Sequence, residues 1–81
     1  MLSIEHNPDF LRKIEKIKDS GLKERVKKQI AKIIAFPDTG KPMMYARKGT
    51  REVYIKPFRL SYAYLEQENK IIFLDLYHKD E

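Results

Sequence analysis

Arg51-Glu52-Val53-Tyr54-Ile55-Lys56-Pro57-Phe58-Arg59-Leu60-Ser61-Tyr62-Ala63-Tyr64-Leu65 is the stretch that decides the fold. In its first half Val53 and Ile55 alternate with Glu52, Tyr54 and Lys56. In its second half Leu60, Tyr62 and Tyr64 alternate with Arg59, Ser61 and Ala63. A period of two belongs to a half-buried strand. Pro57 makes a turn between the halves, so the stretch reads as two antiparallel strands. Alternation places Val53, Ile55, Leu60, Tyr62 and Tyr64 on one face, the candidate core. It places Glu52, Tyr54, Lys56, Arg59 and Ser61 on the other, which is basic and carries a tyrosine.

Outward toward the C-terminus, Gln67–Asn69 reads as a turn. Lys70–Tyr77 is almost continuously apolar, the pattern expected of a strand covered on both faces. Outward toward the N-terminus, Gly49-Thr50 is a turn and Met43–Lys48 a candidate strand. Asp38-Thr39-Gly40 is a loop. Before it the period lengthens to 3.6. Leu22, Val26, Ile30, Ile33 and Ile34 form an apolar stripe on a helix from about Leu22 to Phe36, which Pro37 stops. A first helix begins at Asn7-Pro8, with Asn7 as cap and Pro8 in the first turn. Phe10, Leu11, Ile14 and Ile17 give its apolar face, and Gly21 is expected to end it. Leu2–Glu5 is a short candidate strand. The order is β-α-α-β-β-β-β, an α+β fold with a helical hairpin on one face of a mainly antiparallel sheet.

Eighty-one residues make one domain, residues 1–81. There are no cysteines, which excludes disulfides and thiolate metal sites. The N-terminus has no charged segment followed by an apolar one, so no signal peptide is read there. No apolar run approaches the ~20 residues that cross a bilayer. The expected location is the cytoplasm, away from membrane. Lys and Arg number 17 against 12 Asp and Glu. Six of those cations (Lys41, Arg47, Lys48, Arg51, Lys56, Arg59) lie in the segment 41–59 with one acid, Glu52, so the excess of +5 is local. Localised positive charge is what a nucleic-acid surface needs.

Thr39-Gly40-Lys41-Pro42, then Glu52-Val53-Tyr54-Ile55-Lys56, Arg59-Leu60-Ser61-Tyr62 and Leu76-Tyr77-His78-Lys79-Asp80 occur in this order along nearly the whole chain. In order and spacing they resemble the RelE/ParE toxin superfamily. The resemblance implies a RelE-like fold and the toxin of a type II toxin–antitoxin pair, with a cognate antitoxin as partner. That antitoxin is expected to be acidic, to complement the +5 charge. In RelE-like members the toxin enters the ribosomal A site and cleaves mRNA by 2′-hydroxyl attack on the adjacent phosphate, without metal or cofactor. By position, Arg59 matches the arginine that would hold the phosphate. Lys56 matches a lysine that would stabilise charge or help activate the hydroxyl. His78 matches a C-terminal histidine suited to proton transfer. Tyr54 and Tyr77 are candidates for base stacking. Lys41, Arg47, Lys48, Arg51 and Lys79 are candidates for the RNA backbone.

For Lys41, Lys48 and Arg51 the competing reading is an ordinary solvated cation. Tyr62 and Tyr64 read as core because they share a face with Leu60. His78 reads equally as an exposed residue at a strand end. Glu52 reads as an ion-pair partner of Lys56, or as a substitute base. Met43 stands where some members carry a glutamate after Lys-Pro, and no tyrosine follows Tyr77. Those departures leave two alternatives. One is a non-catalytic ParE-like toxin of DNA gyrase, and the other is an inactive relative that only binds the antitoxin.

Overall fold

A computed structural model describes residues 2–42 and 49–78. The expected strand over Met43–Lys48 lies outside the described residues. Strand β1 spans Ser3–His6, helix α1 Pro8–Glu15, helix α2 Ser20–Ala35, β2 Lys41–Pro42, β3 Thr50–Ile55, β4 Phe58–Leu65 and β5 Lys70–His78. The five strands form one sheet in the order β1-β5-β4-β3-β2. Three pairings are antiparallel, and β1 runs parallel to β5.

Local chemistry accounts for the helix ends. The Asn7 side chain accepts from the Asp9 N–H at 3.0 Å, and Pro8 occupies the first turn. Gly21 does not end α1, contrary to the expectation from sequence. Helix α1 stops at Glu15, and Asp19 starts α2 by accepting from the N–H groups of Gly21 (2.9 Å) and Leu22 (3.2 Å). A carboxylate capping two amides outweighs the C-terminal preference of a glycine that has no positive φ to supply. At the other end of α2, Phe36 leaves the helical region (φ −136°, ψ 82°), as a residue before proline does.

The core lies between the helices and one sheet face. Phe10 of α1 stacks on Phe73 of β5 with ring centroids 5.3 Å apart. Val26 and Ile33 of α2 are fully buried with Leu60, Tyr62 and Ile71 of the sheet. Val53 stands opposite Leu60, and opposite residues of an antiparallel pair share a face. The face carrying Val53, Ile55, Leu60, Tyr62 and Tyr64 is therefore the packed one, as alternation implies. The expectation that β5 is covered on both faces is corrected. Ile71, Phe73 and Leu76 are buried, whereas Ile72 and Leu74 are half-buried, because helices cover one face only. A register shift between Ser61 and Tyr62 interrupts the β4–β5 ladder, and such a bulge bends the strand.

Tyr62 ties the core to the loop that delivers β2. Its hydroxyl donates to the Pro37 carbonyl (2.7 Å) and accepts from the Gly40 N–H (2.9 Å). Gly40 fits because it has no side chain. A Cβ there would stand 2.7 Å from the Tyr62 hydroxyl and 3.0 Å from the Glu52 carbonyl. Gly40→Ala is expected to destabilise the fold by about 1–3 kcal/mol, the usual cost of overpacking. Urea unfolding checks this, and an unchanged midpoint would show that the loop yields freely.

Candidate functional site

The sheet face away from the helices is built from β3, β4 and β5. The ladder sets Tyr54 opposite Arg59 and Arg59 opposite Tyr77, so these three side chains share one face across three strands. Glu52 is on the same face, opposite Ser61 on β4 and Lys41 on β2. Tyr54 is 53% exposed and the Arg59 side chain 43%. Glu52 is 8% exposed, buried although no helix covers it. Its Oε2 accepts a hydrogen bond from the Tyr77 hydroxyl. Its Oε1 lies 3.4 Å from Arg59 Nη1, a long ion pair.

Three expected site residues stand elsewhere. Lys56 is not on the strand face, because β3 ends at Ile55. Lys56 is an exposed residue of the turn Ile55–Phe58, whose Lys56–Pro57 bond is cis. Its carbonyl accepts from Arg25 Nη1 at 3.0 Å, and among the described residues Glu52 pairs with Arg59 instead. Arg51 stands opposite Tyr62, on the helix side. Its Nη1 donates to the carbonyls of Asp38 (3.1 Å) and Gly40 (2.7 Å), so it braces the same loop as Tyr62. His78 follows Tyr77 in β5, and alternation turns it to the opposite face from Arg59. There it stands opposite Phe58 and meets its ring edge-on at 5.5 Å. The structure thus unites Arg59, Tyr54 and Tyr77, and separates His78 from them. Lys41 is exposed on β2, beside Glu52. Arg47, Lys48 and Lys79 lie outside the described residues.

Glu52 is the member of this group whose environment was not legible in sequence. Its isolation as the one acid of a basic segment was the available signal. Its burial beside Arg59 and Tyr77 depends on the register of three strands.

An arginine facing solvent can take a phosphate in a planar, two-toothed contact. Flanking tyrosines can stack on bases. A fixed carboxylate can accept a proton. Together these groups can bind and orient a single-stranded polynucleotide.

Residues 4–81 match the family model of the ParE toxin of the type II toxin–antitoxin system parDE. No curated protein sequence is significantly similar to the chain. Among solved structures, a chain of the intact E. coli RelBE toxin–antitoxin complex superposes with a TM-score of 0.81 at 12% identity, covering 100% of both chains. The YoeB/ParE toxin from Agrobacterium tumefaciens gives 0.81 at 13% identity, covering 95% of this chain and 98% of its own. YafQ from E. coli gives 0.75 at 16%, covering 99% and 96%. At these identities the likeness is one of fold.

Proposed function

This chain belongs to the ParE toxin family of type II toxin–antitoxin systems, and from that premise we propose that it is a ribosome-dependent endoribonuclease acting on mRNA in the ribosomal A site. In this reading a ribose 2′-hydroxyl attacks the adjacent phosphate. The observation that carries it is Arg59, half exposed on an open sheet face between Tyr54 and Tyr77. Its guanidinium turns from its long contact with Glu52 to the scissile phosphate, where it offsets the charge developing in the transition state. Tyr54 stacks on a neighbouring base. Lys41, Arg47, Lys48 and Lys79 add salt-sensitive contacts to the backbone, and Lys56 adds charge from the turn. In this reading Arg51 serves the scaffold and His78 takes no part, which its place opposite Phe58 supports.

The partner in this reading is an acidic antitoxin. A groove of about 380 Å³ supports it, lined by Ile17, Leu22, Phe58 and Leu76 and by Lys13, Lys16, Lys18 and Asp19. A lining that is part apolar and, in its charged part, mainly cationic suits an amphipathic acidic segment.

Expression of the chain alone, with mRNA 5′ ends mapped within minutes, tests the function. New ends inside translated codons are expected. A second reading, inhibition of DNA gyrase, is favoured by Met43 in place of glutamate and by the place of His78 on the face opposite Arg59. It predicts stalled supercoiling with intact mRNA, and that outcome would replace the first reading. Both readings place the protein in the cytoplasm with its target.

A further inference from the structure

Glu52 is out of keeping with its surroundings. A carboxylate loses hydration on burial and is kept there only by donors. Glu52 is 8% exposed on a face that the helices leave open, in the middle of the basic segment. Its two oxygens are used differently. Oε2 is held by the Tyr77 hydroxyl, a charge-assisted bond. Oε1 points to Arg59 Nη1 at 3.4 Å, near the outer limit of a hydrogen bond. Among the described residues, the oxygen nearest the guanidinium is thus the one with only a long contact, and the other is held by Tyr77.

We propose that Glu52 is the general base of RNA cleavage, a role that rests on the ribonuclease reading above. A phosphate seated on Arg59 brings the ribose attached to it alongside Oε1. Oε1 takes the proton of the 2′-hydroxyl as the 2′-oxygen forms its bond to phosphorus. The bond from phosphorus to the 5′-oxygen breaks, leaving a 2′,3′-cyclic phosphate. The departing 5′-oxygen takes a proton from water, and the hydroxide so formed takes the proton back from Glu52. Tyr77 is a positioning residue: it holds Oε2 and so orients the carboxyl. All three groups stand on paired strands, which hold reacting groups more tightly than loops do. Glu52 thereby supplies the base that Met43 cannot.

The experiment is single-turnover cleavage of mRNA on programmed ribosomes across pH. Glu52→Gln keeps the shape of the side chain and one acceptor oxygen for Tyr77, gives up the long contact with Arg59, and cannot take a proton. It is expected to lower the rate about 10²–10⁴-fold, the usual contribution of a general base, with unchanged RNA binding and no acid limb in the pH profile. Tyr77→Phe is expected to lower the rate less and to keep the limb. A carboxylate that merely anchors Arg59 would weaken binding and leave the profile unmoved, so that result overturns the role. Wild-type rate in Glu52→Gln overturns it alone and leaves the ribonuclease reading standing. Intact mRNA with the wild-type protein overturns both. Should Glu52→Gln fail to fold, the wild-type profile decides: a rate that does not fall toward acid pH excludes a carboxylate base.

Discussion

Arg59→Ala is expected to lower mRNA cleavage about 10²–10³-fold and to abolish growth arrest while the protein stays folded. The magnitude is that of removing one preorganised charge-stabilising donor, about 2.7–4 kcal/mol of transition-state stabilisation. The cost to the fold is a separate quantity. Arg59 is 43% exposed, Glu52 is buried and their contact is long, so that cost lies between the ~1 kcal/mol of a surface ion pair and the ~3–5 kcal/mol of a broken buried one. Glu52 keeps the Tyr77 hydroxyl as donor when Arg59 is gone. Each kcal/mol lost lowers the melting temperature of a small domain by about 4–8 °C, so a melt of the variant shows whether it is folded at the temperature of the cleavage assay. Arg59→Lys separates charge from shape. It keeps the positive charge but not the planar fork, and should recover only part of the rate. Thermal melts beside cleavage rates check the argument. Undiminished cleavage in Arg59→Ala would remove the open face from the mechanism.

Tyr62→Ala is expected to cost about 3–5 kcal/mol, the usual result of truncating a buried aromatic side chain. The side chain is fully buried, tilts against Phe73 at 6.3 Å, and bonds at both ends of the segment Pro37–Gly40. A domain of 81 residues has about 4–12 kcal/mol of stability in all, so this one change consumes a large part of it. Tyr62→Phe isolates the hydroxyl. It leaves the buried Gly40 N–H without its acceptor, at a cost of about 1–3 kcal/mol. Burial raises the Tyr62 phenol above its ordinary value of 10.0, and the Gly40 N–H and the Arg51 charge offset part of that rise. The folded state therefore holds this proton more tightly than the unfolded chain. The stabilisation is complete below the unfolded value of about 10 and is lost as pH rises through the folded value. The stability gap between wild type and Tyr62→Phe should narrow from neutral pH to pH ~11. Denaturant titrations at the two pH values measure it, and a gap that widens would mean that the phenol ionises more easily in the folded state.

The hairpin Thr50–Leu65 and its packed face were legible in Val53, Ile55, Leu60, Tyr62 and Tyr64, because side-chain alternation is a property of each strand by itself. The helices were legible from their apolar stripes, and the start of α1 from Asn7-Pro8. The boundary between them departs from the sequence expectation at Gly21, where Asp19 and the glycine are competing local signals. Arg59 and Tyr54 were placed on the open face from sequence, and the structure keeps both there.

Which groups meet was not written in any one segment. Arg51 and Arg59 look alike in a basic run, yet Arg51 stands opposite Tyr62 and braces the loop, while Arg59 stands between two tyrosines. His78 and Tyr77 are neighbours in sequence, but a strand sends them to opposite faces. Its length alone decides that the register still holds at the last position. Glu52 and Lys56 share a strand face in sequence logic until the turn removes Lys56, leaving the carboxylate to Arg59 and Tyr77. The sequence by itself determined the two helices, the hairpin β3–β4 with its packed and open faces, and the sign of the charge in the segment 41–59, because these follow from local periodicity and charge. Only the tertiary structure decided the partners of each charge, because register across β3, β4 and β5 is set by core packing on the far side of the sheet, where Leu60, Tyr62 and Ile71 share one buried cluster with Val26 and Ile33 of α2.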